Sequence, residues 1–119
     1  MLRTLAIFFG ILFIAMGIMG FVPAYMNNGK LFDLFRLNFE HNIAYLATGL
    51  ISLLCGLISG FASKMFFIIC GVVYAFLALL GFQIGEGMVF DMIAVNLMDN
   101  ILHAGVGAVF LLIGFSIKL

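Results

Sequence analysis

Four long apolar runs alternate with three more polar breaks along the chain. The runs are about Leu2–Val22, Ile43–Phe61, Met65–Phe82 and Ile101–Ile117. Each run approaches the roughly 20 residues that an α-helix needs to cross a bilayer core of about 30 Å. The runs are apolar on all sides, whereas a membrane β-strand would alternate between apolar and polar positions. The pattern therefore predicts an all-α integral membrane protein with a four transmembrane helix bundle.

The breaks differ in length, and their lengths predict how the helices are connected. The short break at Gly60–Lys64 predicts a tight hairpin of the second and third helices. The connections Pro23–Asn42 and Gln83–Asn100 are longer, and each contains an apolar stretch with a few charges. We expect these stretches, Leu31–Glu40 and Val89–Met98, to form short amphipathic helices that lie in the membrane interface.

The second half of the chain resembles the first when the sequence is shifted by 58 residues. Nine positions are identical over Phe32–Gly56, starting with the Phe-Asp pairs at 32–33 and 90–91. With a gap of three residues, Gly10 and Gly20 match Gly71 and Gly81. The sequence therefore predicts one membrane domain with two tandem helix–interfacial segment–helix repeats, the first over about 1–62 and the second over about 63–119. Since each repeat has two spans, both insert in the same orientation.

Small residues recur every seven positions inside the apolar runs. The series are Gly10/Gly17, Gly49/Gly56, Gly71/Ala78/Gly85 and Gly107/Gly114. Small side chains let membrane helices approach closely, and a spacing of seven keeps them on one face at a left-handed crossing. We therefore expect a compact bundle with a seam of glycine and alanine.

Composition supports the membrane assignment and excludes several functions. The chain is 66% hydrophobic and 8% charged, whereas a soluble domain has about 25% charged residues. A formal net charge of zero gives no indication of nucleic-acid binding. Because the sequence has no nucleophile motif, phosphate-binding loop or CxxC motif, we expect no enzymatic activity and no catalytic residue. Cys55 and Cys70 lie inside apolar runs, where thiols are unreactive, so we expect both to pack.

The distribution of charge favours one orientation in the membrane. Arg3, Lys64 and Lys118 lie at the N-terminus, the short break and the C-terminus, with no acidic residue nearby. The long connections contain the other two basic residues and all five acidic ones. Since basic residues are enriched on the cytoplasmic side, we expect both termini in the cytoplasm and the long connections outside.

The remaining polar side chains are concentrated at the outer starts of the second and fourth helices. The shift of 58 residues overlays His41 on Asp99 and Tyr45 on His103, and both pairs have the i, i+4 spacing that places them on one helix face. A pseudo-twofold axis would bring the two faces together. The predicted cluster consists of His41, Tyr45, Asp99, His103, Asn38, Asn42, Asn96 and Asn100. We expect Asn42 and Asn100 to be the N-caps of the two helices.

Three functions are compatible with this cluster. In the first, the side chains bond to one another and hold the two halves together. In the second, His41, Asp99 and His103 bind a divalent metal, or the two histidines bind haem. In the third, the ionisable groups relay protons or ions. The sequence favours a structural or accessory role without a cofactor, with ligand binding or transport as the alternative. The expected partners are the lipid bilayer and a second copy or another membrane protein, but not nucleic acid.

Two motifs carry a family resemblance. Asn-x-x-His-Asn at 38–42 and Asn-x-x-Asp-Asn-x-x-His at 96–103, with the preceding Leu31–Asn38 stretch, resemble the small bacterial four-helix proteins of the DUF4383 family. The resemblance covers most of the chain, and it implies a four-helix fold in the bacterial inner membrane. It implies no activity, because the function of the family is undetermined. Its members often have a second histidine where Tyr45 stands, and this departure counts against a metal site.

Overall fold

The computed structural model describes residues 1–119 and consists of four long helices with a small β-sheet after the first and the third. The helices are α1 (Leu2–Met19), α2 (Phe39–Ile58), α3 (Gly60–Ile84) and α4 (Leu97–Ser116). All four are long and apolar enough to cross a membrane. The fold is therefore the predicted four-helix membrane bundle, although α2 and α4 begin four residues before the predicted runs.

A single residue separates α2 from α3. Ser59 has an extended backbone, and its side chain accepts a hydrogen bond from the N–H of Ala62, which caps the start of α3. The hydroxyl of Ser63 then donates to the carbonyl of Cys55 at 3.2 Å and joins the two helix ends. The predicted break at Gly60–Lys64 is wrong, because these residues form the first turn of α3.

Short antiparallel strands stand where interfacial helices were predicted. The first sheet follows α1 and a 3-10 turn (Pro23–Tyr25), and the second follows α3. The strands are β1 (Met26–Asn27), β2 (Lys30–Leu31) and β3 (Phe35–Arg36) in the first sheet, and β4 (Gly87–Val89) and β5 (Ile93–Val95) in the second. The prediction of two amphipathic helices over Leu31–Glu40 and Val89–Met98 is therefore wrong.

The hairpin tips explain this error. A Phe-Asp pair forms the tip of the β2–β3 hairpin and of the β4–β5 hairpin. In both, the residue that follows the pair donates its N–H to the carbonyl of the residue that precedes the pair, at 3.0 Å. Both residues of each pair have positive φ, at Phe32 (53°), Asp33 (61°), Phe90 (54°) and Asp91 (54°). Positive φ at both central positions is the geometry of a type I′ turn, for which Asn-Gly is the usual sequence signal. Phenylalanine at such a position is uncommon, so the Phe-Asp pairs carry no recognisable turn signal.

Each half of the fold contains one closely packed helix pair. The first half is α1, β1–β3 and α2, and the second half is α3, β4–β5 and α4. A Cβ added at Gly10 would lie 2.8 Å from the carbonyl oxygen of Gly49, and one added at Gly107 would lie 2.7 Å from the amide nitrogen of Ala75. Because backbones approach this closely, the predicted seam is present in both halves. Gly85 does not belong to it, since this residue ends α3 with φ 81° and has open space around it.

Aromatic side chains fill the space between the halves. Phe110 of α4 is fully buried, and its ring centroid lies 5.0 Å from that of Phe9 on α1 and 5.1 Å from that of Phe67 on α3. Phe13 contacts Phe110 on one side and Tyr45 of α2 on the other. These rings form an aromatic column that extends from the cluster at the hairpin end toward the chain termini.

Basic side chains bind the helix ends opposite the hairpins. The guanidinium of Arg3 on α1 donates to the carbonyls of Gly56 (2.8 Å) and Leu57 (2.9 Å) at the end of α2. Lys64 on α3 donates in the same way to Gly114 and, at 2.8 Å, to Ile117 at the end of α4. These carbonyls have no partner within the helix, and they form the negative end of the helix dipole. Both basic residues therefore stabilise the helix pair to which they belong.

Candidate functional site

Asn38 and Asn96 cap α2 and α4. The Oδ1 atom of Asn38 accepts from the N–H of His41, and that of Asn96 accepts from the N–H of Asp99, both at 3.0 Å. Asp99 returns a bond, because its Oδ2 accepts from the N–H of Asn96 at 3.0 Å and completes a capping box. The predicted N-caps, which stand four residues later, are wrong because both helices begin earlier than their apolar runs.

Asn42 and Asn100 are buried against glycines of the neighbouring helix. The side chain of Asn42 occupies the place of a Cβ at Gly20, and that of Asn100 occupies the place of a Cβ at Gly81. The amide of Asn100 also donates to the carbonyls of Gly81 (2.9 Å) and Gly85 (3.0 Å). Neither Oδ1 atom has an N–H or O–H partner, so each contacts a glycine Cα–H group instead. The two asparagines thus hold the hairpin ends of α1 and α3 against α2 and α4.

The predicted histidines and tyrosine meet between α2 and α4, beneath the hairpins. The Nε2 atom of His103 lies 3.2 Å from the Nε2 of His41 and 3.0 Å from the hydroxyl oxygen of Tyr45. The Nδ1 of His41 donates to the carbonyl of Ala94 on β5 at 2.7 Å. All three side chains are at most 1% exposed. Every one of these contacts joins the first half to the second.

Asp99 is buried beside the histidines but makes its bonds elsewhere. Its Oδ2 belongs to the capping box, while its Oδ1 has no partner. The Nδ1 of His103, one turn later on the same helix face, also has none. No group of three His, Cys, Asp or Glu side chains is arranged to hold a metal ion. His41, Asp99 and His103 are therefore not assembled as three direct ligands, in contrast to the arrangement proposed from the sequence.

The two capping asparagines also reach across to the opposite hairpin. The amide of Asn38 donates to the carbonyl of Met92 at 2.7 Å, and the amide of Asn96 donates to the carbonyl of Leu34 at 2.9 Å. Each contact joins a helix start in one half to a hairpin tip in the other. The sequence matched these asparagines to each other but gave no indication of their reciprocal contacts, because the hairpins themselves were not predicted.

Two hydroxyl groups extend the cluster toward the middle of the bundle. The ring of Tyr74 packs on His103 with centroids 5.5 Å apart, and its hydroxyl lies 3.0 Å from the hydroxyl of Thr48. Thr48 donates to the carbonyl of Ala44 at 2.8 Å. Beyond this point the aromatic column begins at Phe13, which contacts Tyr74. In this conformation aromatic rings, rather than a polar route, fill the space between the cluster and the opposite end.

Comparison with protein families identifies the chain. A family model described as a domain of unknown function, DUF4383, matches residues 3–116, which is nearly the whole length. The chain belongs to the DUF4383 family. No curated protein and no solved structure matches it. The resemblance drawn from the asparagine and histidine motifs is thus confirmed. Together with its four apolar helices, the match makes this DUF4383 protein an integral membrane protein of undetermined activity.

Two apolar cavities of this DUF4383 protein reach the cluster only at Thr48 and Tyr74. One of about 350 Å³ beside α2 and α3 is lined by nine hydrophobic residues among ten, including Phe76, Leu80 and Phe90. Another of about 430 Å³ includes Cys55 and Cys70, which are free thiols in partly buried positions. Neither is lined by His41, Asp99 or His103. Neither cavity therefore brings a bound molecule into contact with these three side chains.

Proposed function

We propose that this protein is a small structural or accessory component of the bacterial inner membrane, in which the buried polar cluster joins two tandem repeats. The role is non-enzymatic, and the contacts of the cluster form without a cofactor. One observation supports it most strongly: the contacts of His41 and Tyr45 with His103, and of Asn38 and Asn96 with the opposite hairpins, all cross between the halves.

The energetics of membrane proteins support this role for the cluster. Lipid tails provide no hydrophobic force between helices, so association depends on close packing and interhelical hydrogen bonds of about 0.5–2 kcal/mol each. The glycine seams hold α1 to α2 and α3 to α4. Because they lie inside the halves, they do not hold the halves together. The cluster supplies polar contacts at the hairpin end of the interface between them.

Replacing single cluster residues tests the proposal. We expect His41→Ala and Asp99→Ala each to lower the free energy of unfolding in detergent by about 1–3 kcal/mol, because a buried polar partner is left unsatisfied. Glu86→Ala is the control, since Glu86 is exposed before β4. Thermal unfolding of the purified variants provides the measurement. Equal stability of both cluster variants and the wild type would exclude a structural role.

The proposed orientation places both termini in the cytoplasm and both hairpins outside. The fold supports it, because Arg3 and Lys64 lie at the end opposite the hairpins, and basic residues favour the cytoplasmic side. In a variant without the two native cysteines, Glu86→Cys should react with an impermeant maleimide added to intact cells, whereas Lys118→Cys should react only after lysis. The reverse pattern would overturn the orientation.

An accessory role also implies a partner in the membrane. The outer faces of the helices carry exposed large side chains, among them Phe61, Leu112 and Phe115. We propose that these faces contact lipid and, in part, a second copy or another membrane protein. Cross-linking in native membranes followed by mass spectrometry tests this. A cross-linked product of twice the chain mass indicates self-association, and recovery of uncoupled monomer alone contradicts a protein partner.

A further inference from the structure

The hydrogen bonds of His41 determine its protonation. Its Nδ1 lies 2.7 Å from the carbonyl oxygen of Ala94, which can only accept, so Nδ1 carries the proton. In the neutral ring Nε2 then has a free lone pair, and this lone pair faces the Nε2 of His103. A histidine whose other nitrogen donates to a backbone carbonyl is the usual form of a metal ligand, because that bond fixes both the tautomer and the ring orientation.

No neutral tautomer of His103 satisfies both of its ring nitrogens. If its Nε2 donates to His41, the hydroxyl oxygen of Tyr45 can only accept from the same N–H, and the Nδ1 of His103 becomes an acceptor without a donor. If its Nε2 accepts from Tyr45, two lone pairs face each other at 3.2 Å. Buried polar groups are rarely left unsatisfied, so this conflict favours a cation between the two rings.

The distance between the two nitrogens fits a shared metal ion. Two nitrogens bound to one tetrahedral Zn²⁺ at 2.0–2.1 Å stand roughly 3.3 Å apart. The Nε2 atoms of His41 and His103 are 3.2 Å apart, and the oxygen of Tyr45 lies 3.0 Å from the second of them. Two imidazole nitrogens, a donor type that suits zinc and copper, therefore face each other, with the Tyr45 oxygen beside the second of them.

Such a ligand requires an outer partner, and Asp99 is the carboxylate on the same helix face. With His103 bound through Nε2, its Nδ1 carries a proton and needs an acceptor. The Nδ1 of His103 and the Oδ1 of Asp99, one turn earlier on α4, are both buried without a partner, so they are not bonded to each other in this structure, and the ion-bound form would require this bond to form. A carboxylate behind a histidine orients the ring and raises its basicity toward the metal.

We propose that His41 and His103 bind one divalent transition-metal ion, of the zinc or copper class, through their Nε2 atoms. Tyr45 is the third donor, and Asp99 is the positioning residue for His103. The inference rests on the proposed function, since the ion would join α2 to α4 at the interface that the cluster already holds.

Metal titration of purified protein tests the site. The protein is prepared in detergent with a histidine-free affinity tag, stripped with a chelator and titrated with Zn²⁺, and in parallel with Co²⁺, whose absorption spectrum reports tetrahedral coordination. We expect one equivalent to bind. The His41→Gln and His103→Gln variants should lose binding, and Asp99→Asn should weaken it about 10- to 100-fold. Glu86→Gln should bind as the wild type does.

The outcomes distinguish this site from the structural role. Binding of one equivalent that the histidine variants abolish, with a tetrahedral Co²⁺ spectrum, supports the site. If a histidine variant fails to fold, Asp99→Asn and Tyr45→Phe still report on it, and unchanged affinity in both would overturn it. Wild-type uptake no greater than that of His103→Gln, with the lower thermal stability of His41→Ala retained, would overturn the metal site and leave the structural role intact.

Discussion

The protein has two kinds of helix interface, and they differ in what fills them. Within each half the backbones touch where a side chain is missing, as at Gly10 and Gly49. Between the halves the space is filled by large rings, with Phe110 in the aromatic column and His41 and His103 in the cluster. The interface inside each half has no room for an added side chain, whereas the interface between the halves is held by large side chains.

This difference indicates a division of roles. Close backbone contact gives strong van der Waals packing inside each half, and bonds such as those of Asn100 to α3 and Arg3 to α2 add to it. The interface between the halves instead depends on large rings and on buried polar side chains, which must find partners away from water. Added atoms should therefore destabilise the interface inside each half, whereas removed atoms should destabilise the interface between the halves.

Truncation at the centre of the aromatic column should have the largest effect. We expect Phe110→Ala to lower the free energy of unfolding by about 3–5 kcal/mol, because the neighbouring rings cannot refill the cavity. Phe115→Ala, at a position 69% exposed and five residues later on α4, should change it by less than about 0.5 kcal/mol. Thermal unfolding in detergent compares the two. Equal losses would show that the column is not a packed core.

Addition of a single methyl group should distinguish the seam from the rest of α4. A Cβ at Gly107 meets the backbone nitrogen of Ala75 at 2.7 Å, whereas one at Gly105 meets nothing within 4 Å. We expect Gly107→Ala to cost about 1–3 kcal/mol through overpacking. Gly105→Ala should be neutral or stabilise by up to about 1 kcal/mol through its higher helix propensity. Similar unfolding temperatures for the two variants would contradict the proposed seam.

Removal of the basic side chains at the opposite end should have the smallest effect. Arg3→Gln and Lys64→Gln each remove a cation from the carbonyl end of the partner helix. We expect each change to cost about 0.3–1 kcal/mol, with a smaller difference at high salt because the helix dipole is screened. Lys118→Gln, at an exposed position, is the control. A larger loss in that control than in Lys64→Gln would contradict the capping role.

Much of the fold follows from the sequence, because lipid leaves few alternatives for long apolar runs. The four spans were predicted for this reason, and the seam was predicted from the spacing of the small residues. The hairpins were not, since their turns place Phe32 and Phe90 in a conformation that phenylalanine rarely adopts. The sequence analysis also did not place the α2–α3 break at Ser59. A serine that caps the amide three residues later is an ordinary signal for the start of a helix.

The sequence predicted which residues form the cluster better than it predicted their hydrogen bonds. The shift of 58 residues matches His41 with Asp99 and Tyr45 with His103, and this match alone predicts that the four side chains lie together. The spacing of Asn96 and Asp99 is that of a capping box and could have identified the N-cap. The bond from His41 to the backbone of Ala94 could not be foreseen, because it depends on the position of a hairpin that carries no turn signal.

A double-mutant cycle between His41 and His103 tests whether the cluster joins the two halves. The two residues lie in different halves and contact each other at 3.2 Å. In chelator-treated protein, we predict that the losses of stability in His41→Ala and His103→Ala fail to add in the double variant, with a coupling of about 0.5–2 kcal/mol. Losses that add to within about 0.3 kcal/mol would show that the cluster does not join the two halves.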